Sequence, residues 1–208
     1  MKHLFSLALL FTLLLSLTAE AQMRGYPYAP RLRSMRLGVA GGVGVLGGDL
    51  TKESKHYHFR PIGFAEAAYI THRNIAVGLY GGGGKMRSTQ YALESNTDFY
   101  EAGLLFELRA PLLRGSLFPI LQARGGLLSI NSTLRDGVSL QDPSPGVHFA
   151  YGAGVGLEVI SWRKLGIRAL FGVTYSSTDE WDIIERGSDN DGYSWALLSL
   201  HYYFQFRR

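Results

Sequence analysis

Apolar and polar residues alternate along the last stretch of the chain. From position 198 to position 206 every even residue is large and apolar, whereas the odd residues are more polar: Ser199, His201, Tyr203 and Gln205. A period of two is typical of a β-strand with one apolar face. The apolar face is bulky and unbroken, so we expect a strand that faces lipid and closes a barrel against the first strand.

Seven earlier stretches alternate in the same way. They cover about residues 35–45, 59–70, 75–84, 100–110, 117–128, 147–159 and 165–175. Long polar segments at 47–58, 85–98, 130–146 and 176–192 alternate with short turns. An even number of strands of about ten residues each crosses a bilayer and returns both chain ends to one side. The sequence therefore predicts an all-β fold, an eight-stranded antiparallel up-and-down transmembrane β-barrel with long extracellular loops and short periplasmic turns.

The beginning of the chain has the three parts of a secretory signal peptide. Lys2 is followed by an apolar run over residues 4–17 and by an Ala-Glu-Ala cleavage site at 19–21. We expect residues 1–21 to be a signal peptide, residues 22–34 a periplasmic lead-in and residues 35–208 the barrel. The chain contains no cysteine, which excludes a disulfide framework and a lipidated N-terminal cysteine. An exported chain with this barrel pattern is expected in the bacterial outer membrane.

The composition of the less apolar face favours a membrane barrel over a soluble one. A soluble, ligand-carrying barrel points its apolar face inward and exposes to water a face that is normally rich in Lys, Glu and Thr. Here the less apolar face is mostly Gly, Ala and Ser with a few charges, and Lys is almost absent from the predicted strands. Small side chains suit a narrow interior, so we expect this face to point into the barrel.

The charges on the predicted inward face are mixed in sign. Glutamates and arginines occupy these positions: Glu66, Glu101, Glu107 and Glu158, and Arg109, Arg124 and Arg168. A buried charge costs several kcal/mol to dehydrate unless it is paired, so opposite signs are expected inside a narrow barrel. We therefore predict a structural Arg–Glu network that closes the lumen. The alternative is that some of these residues are hydrated near the barrel rims.

Aromatic residues occur near the ends of the predicted strands. They are Tyr69, Tyr80, Phe99, Tyr100, Tyr175, Tyr193, Trp195, Tyr202 and Phe206. Aromatic rings at the two bilayer interfaces form girdles around transmembrane barrels. We expect these residues to form such girdles, with ordinary packing in a core as the alternative.

The chain resembles the small eight-stranded bacterial outer-membrane barrels of the OmpA transmembrane-domain and OmpX type. The resemblance rests on the strand count, the alternating pattern and a terminal strand that reaches an aromatic residue, Phe206, before Arg207 and Arg208. It implies a structural or surface-interaction role without catalysis. It also implies contact with outer-membrane lipid and lipopolysaccharide, and with periplasmic chaperones and barrel-assembly machinery during biogenesis. We expect no peptidoglycan-binding role, since no soluble domain follows the predicted barrel.

Two features suggest other kinds of protein. Residues 42–47 match G-x-G-x-x-G, but a dinucleotide site needs a helix after the glycines, and a polar segment follows here. We interpret these glycines as strand positions and expect no cofactor. The net charge of +4 comes without a basic stripe or cluster, so we expect no nucleic-acid binding.

Two alternatives for the function stay open. Ser199 and His201 share the predicted inward face of the last strand, with glutamates on other strands, and these residue types would suit a lipid A-modifying hydrolase. A narrow channel is the second alternative, although eight strands leave an interior that side chains fill. The acidic segment 176–192 is either a solvated loop or a divalent-cation site, and the histidines show no metal-ligand spacing.

Overall fold

The part of the chain that the structure describes is built from β-strands. The computed structural model describes residues 34–47, 58–90, 93–112, 117–136, 139–141, 146–161, 164–177 and 191–205. The strands are Ser34–Leu46 (β1), Arg60–His72 (β2), Ile75–Gln90 (β3), Leu93–Arg109 (β4), Leu117–Asp136 (β5), Ser139–Gln141 (β6), Gly146–Ser161 (β7), Leu165–Ser176 (β8) and Gly192–Gln205 (β9). No helix among the described residues is long and apolar enough to span a membrane.

Eight of these strands close into an antiparallel cylinder. The ring runs from β1 through β2, β3, β4, β5, β7 and β8 to β9. Pairing of β1 with β9 closes it, from Ser34 opposite Gln205 to Leu46 opposite Tyr193. The remaining strand, β6, has three residues and pairs with the end of β5. The predicted eight-stranded antiparallel barrel is confirmed.

The two faces of the cylinder differ in chemistry. On β9, Leu198 and Leu200 are 63% and 51% exposed, whereas Ser199 and His201 are 6% and 0% exposed. The other strands of the ring alternate in the same sense, with exposed leucine, valine, isoleucine and phenylalanine on the outside. Such a continuous apolar outer surface is unsuited to bulk water and suited to acyl chains. The apolar face therefore points to lipid, as the alternation predicts.

The described chain ends lie at the same end of the barrel as the short turns. The backbone N–H of Arg109 donates to the carbonyl of Asn74 at 2.9 Å, and that of Tyr203 donates to the carbonyl of Lys164 at 2.8 Å. Ser34 is paired with Gln205 at this end as well. In a barrel of this type the end with the short turns faces the periplasm, so the opposite end is extracellular.

Two predicted loops are wrong in part, because strands continue through them. In the segment 85–98, β3 extends to Gln90 and β4 begins at Leu93, with Lys85 opposite Asp98. In the segment 130–146, β5 extends to Asp136 and is followed by β6. Both segments are polar in sequence and carry no apolar period, yet their backbones pair with the neighbouring strand. The barrel wall therefore rises beyond the apolar belt on these strands.

Several predicted features lie outside the described residues. They are the signal peptide 1–21, the lead-in apart from Ser34, Phe206, and most of the segments 47–58 and 176–192. In the part of the chain that is described, no group of three or more histidine or acidic side chains is placed to hold a metal ion.

Candidate functional site

Charged side chains occupy two levels of the barrel interior. The structure places all seven predicted charged residues on the lumen face, and the most exposed of them, Glu66, has only 12% of its side chain accessible. On β4, the buried Leu105 lies between Glu101 at one level and Glu107 at the other. An apolar layer of inward residues from four strands separates the two levels: Phe64, Leu105, Leu170 and Leu197.

The level nearer the periplasm is centred on Glu107. We call it the periplasmic cluster, and its members are Arg36, Glu66, Glu107, Arg109, Glu158, Arg168, His201 and Tyr203. Arg36 donates to both carboxylate oxygens of Glu107, at 2.8 and 2.9 Å. Arg168 donates to the same two oxygens at 2.9 and 3.2 Å. Glu107 therefore connects β1, β4 and β8, which are not neighbours in the sheet.

Glu158 is a second acceptor in the periplasmic cluster. It accepts hydrogen bonds from Arg109 at 3.0 Å, from Arg168 at 3.3 Å and from the hydroxyl of Tyr203 at 2.5 Å. Its Oε1 also lies 3.2 Å from Nδ1 of His201. Charge-assisted bonds of this kind are stronger than neutral ones and offset the dehydration of the carboxylate.

Arg36 completes the charge balance of the periplasmic cluster, and reasoning from the sequence missed it. Its Nη2 lies 2.8 Å from Oε1 of Glu66, in addition to the bonds with Glu107. With Arg36 the cluster contains three arginines and three glutamates, and without it the arginines are one too few. The signal was present, because Arg36 shares the small-residue face of β1 with Gly38 and Ala40.

The level nearer the loops is centred on Glu101 and Arg124. We call it the extracellular cluster, and its members are Tyr80, Glu101, Arg124, Thr174, Tyr193 and Trp195. Glu101 accepts hydrogen bonds from the hydroxyls of Tyr80 and Tyr193. Arg124 donates to the hydroxyl of Tyr193 at 2.8 Å, and its guanidinium carbon lies 4.4 Å from the ring centroid of Trp195. Arg124 Nε and Glu101 Oε1 are 3.7 Å apart, so the aromatic partners supplement a loose ion pair.

The predicted aromatic girdle is correct for some residues and wrong for others. Exposed rings lie on the outer face at Tyr69, Tyr100, Tyr175 and Tyr202. Buried rings lie inside the barrel at Tyr80, Phe99, Tyr193 and Trp195. A position near a strand end sets the level along the barrel axis, whereas the parity of the residue number within a strand sets the face. Tyr193 and Trp195 have the same parity as the inward residues Ser199 and His201.

Ser199 and His201 lie inside the barrel, on the side of β9 away from lipid. The ring nitrogens of His201 lie against Glu158 and Glu66, at 3.2 and 3.0 Å. The hydroxyl of Ser199 makes no hydrogen bond. A serine nucleophile needs a base in contact with its hydroxyl and access to its substrate. This pair meets neither condition, because the residues that reach the lipid from β9 are Leu198 and Leu200.

Comparisons with known proteins agree with this fold. No protein-family model and no curated protein matches the sequence. Among solved structures, Neisserial surface protein A has 11% identity over 81% of this chain and 96% of that chain, with a TM-score of 0.58. Ail, the attachment invasion locus protein of Yersinia pestis, solved in complex with the heparin analogue sucrose octasulfate, has 11% identity over 84% of this chain and 100% of that chain, with a TM-score of 0.55.

These identities are low, so the likeness is one of fold. The protein is a small eight-stranded transmembrane barrel of the outer-membrane type. Its apolar belt lies in the bacterial outer membrane, with the short turns toward the periplasm.

Proposed function

We propose that the protein is a structural or surface-interaction barrel of the outer membrane whose lumen is closed by side chains. The observation that carries this proposal is the stacking of three filled levels inside the cylinder. The apolar layer of Phe64, Leu105, Leu170 and Leu197 lies between two levels of paired charges. An eight-stranded barrel is narrow enough for side chains to fill it, so no aqueous path is expected.

The paired charges support closure as well. An ion that entered the lumen would lose its hydration shell and would need protein groups to replace it. The carboxylate of Glu107 is already engaged by two guanidinium groups, and that of Glu101 by two tyrosine hydroxyls. The cation of Arg124 is covered by aromatic rings. The interior charges are therefore engaged in interactions with neighbouring side chains and are not available to coordinate a permeating ion.

The surface-interaction part of the proposal concerns the extracellular end. There β3, β4 and β5 extend beyond the apolar belt and present polar outward side chains, among them Lys85, Asp98 and Asn131. Ail, a protein named for attachment and invasion, has the same fold and was solved with a polysulfated ligand. We also propose that the protein has no catalytic role. Residues 1–21 serve as a signal peptide for export, and periplasmic chaperones and barrel-assembly machinery handle the chain during biogenesis.

Planar-bilayer recordings test the closed lumen. We expect purified protein to give no conductance steps, because the apolar layer blocks the path. A variant that truncates the layer, L105A/L170A/L197A, is expected to give a leak, whereas the matched outward variant L104A/F171A/L198A is expected to stay silent. Regular conductance steps from the unaltered protein would contradict the proposal and favour the narrow channel.

A further inference from the structure

The seam at which the first and last strands close the barrel is crossed on the inside by a histidine. His201 of β9 lies directly opposite Gly38 of β1 and Gly166 of β8. A Cβ on Gly38 would lie 2.0 Å from the imidazole ring, and one on Gly166 would lie 2.5 Å from the carboxylate of Glu158. A larger residue at either position would therefore displace the ring or a carboxylate next to it. The two glycines leave the space in which the ring meets side chains of more distant strands.

Both ring nitrogens of His201 face carboxylates. Nε2 lies 3.0 Å from Oε1 of Glu66 on β2, and Nδ1 lies 3.2 Å from Oε1 of Glu158 on β7. Each of these strands is separated from β9 by one strand, and they lie on opposite sides of it. The ring therefore connects the inner faces of β2 and β7 across β1, β9 and β8. The seam between β1 and β9 lies within this span.

The number of bonds that the ring makes depends on its charge. A neutral imidazole has one N–H donor and one lone pair, whereas the imidazolium ion has two N–H donors. In the neutral form one nitrogen therefore presents a lone pair to a carboxylate, and this contact is repulsive. In the charged form each nitrogen has a proton to donate, and such charge-assisted bonds are stronger than neutral ones. Only the imidazolium ion suits both contacts.

Other charged groups around the ring oppose its proton. Ionisable side chains bond to the two carboxylates or to their arginine partners: Arg36 on β1, Glu107 and Arg109 on β4, Arg168 on β8 and Tyr203 on β9. The three arginines and three glutamates of the periplasmic cluster balance, so a proton on His201 adds one positive charge in excess. The facing carboxylates favour this proton, whereas the arginines disfavour it. Because these influences oppose each other, we expect the charge of the ring to respond to pH within the ordinary range of histidine, about pH 5 to 8.

We propose that His201 is a pH-responsive bridge across the barrel seam. The protonated ring bonds to β2 and β7 at once and stabilises the closed seam, and loss of the proton removes one of the two bonds. The unfolded chain lacks both carboxylate contacts and binds the proton less tightly. The stabilisation is therefore full in acidic medium and decreases as the pH rises. The proposal concerns closure of the seam and not conduction through the lumen, so the bilayer recordings do not bear on it.

Urea titration of the protein in lipid vesicles tests the bridge at about pH 5.5 and about pH 8, on either side of the ordinary titration of histidine at about pH 6.5. We expect the unfolding equilibrium constant of the unaltered protein to be about tenfold smaller at the lower pH, since one extra proton on the folded state contributes up to about tenfold per pH unit. His201→Gln has no titratable group and is expected to lose this difference. The matched control is His72→Gln, at the exposed end of β2, which is expected to keep it.

Glu66→Gln separates the bridge from the mere presence of a histidine. The amide offers both a donor and an acceptor, so it suits the neutral ring as well as the charged one, and the pH difference is expected to shrink although His201 remains. Nitrogen NMR of the unaltered protein with isotope-labelled histidine, in micelles, observes the ring directly. Both nitrogens of His201 are expected to carry protons at the lower pH, and one at the higher pH.

The outcomes that would overturn the proposal are distinct in the two measurements. In the urea titration they are a pH difference that is absent from the unaltered protein, or one that persists in full in His201→Gln or Glu66→Gln. In the NMR measurement it is a ring with the same protonation at both pH values, which would show that His201 is a fixed structural contact.

Discussion

The carboxylate of Glu107 illustrates how a single residue is satisfied inside the barrel. A carboxylate offers about four acceptor positions, and here two arginines fill four of them from β1 and β8. All three side chains are fully buried. Buried ion pairs are retained only when geometry and additional hydrogen bonds offset dehydration, so the removal of one member leaves its partners uncompensated.

Glu107→Gln is therefore expected to destabilise the barrel strongly. The amide removes the negative charge between Arg36 and Arg168, and the expected loss in the free energy of unfolding is about 3–5 kcal/mol. Urea titration of the protein in lipid vesicles measures this loss. The control is Asp98→Asn, which breaks the exposed pair with Lys85 and is expected to cost at most about 1 kcal/mol. Similar losses for the two variants would contradict the inferred role of the periplasmic cluster.

Parity along a strand explains which interior residues could be predicted from the sequence. Each of the seven predicted charges lies on the less apolar face of its strand, and the structure places each in the lumen. Tyr80 lies in the interior because it shares the parity of the inward Ala76, although its position near a strand end favours the girdle. The pairing of individual arginines with individual glutamates could not be predicted from the sequence. It depends on how far strands that are not neighbours are displaced relative to each other along the barrel axis.

At the scale of whole elements, the strands are longer than the apolar period indicates. The period marks only the part of a strand with lipid on one side and a filled lumen on the other. Beyond the bilayer the outward side chains of β3 and β4 are polar, whereas the inward side chain of Met86 stays buried, and pairing continues to Gln90 opposite Leu93. Side-chain contacts accompany the pairing, such as the hydroxyl of Thr133 donating to the carbonyl of Asn96 at 3.2 Å.

Hydrogen exchange distinguishes a paired extension from a loop over residues 85–90 and 93–98. We expect the backbone amides that bond across β3 and β4 to exchange more than about tenfold slower than in an unstructured peptide. Exchange of the protein in micelles, followed by mass spectrometry of overlapping peptides, gives the rates. Rates close to those of an unstructured peptide throughout both segments would show that the predicted loop was correct.

For the whole molecule, the arrangement of the two faces decides the location and the function. The strand count and the direction of each face could be predicted from the two-residue period. When one side of a strand contacts lipid, the period shows where the strand lies in the sequence and which of its faces is apolar. The closed interior follows from the small diameter and from the inward residues that fill it. A soluble barrel built from the same strands would have its leucines at the centre and its arginines in water.

The orientation of the two faces is tested most directly by spin labels on single cysteines, since the chain contains no cysteine of its own. Labels at Leu197, Leu198 and Leu200 sample neighbouring positions of β9 in protein reconstituted into vesicles. The outward labels at 198 and 200 are expected to collide frequently with oxygen, which concentrates in lipid, and rarely with a water-soluble nickel complex. The label at 197 is expected to be shielded from both. High oxygen accessibility at 197 together with nickel accessibility at 198 and 200 would contradict the orientation on which the fold, the location and the closed lumen all depend.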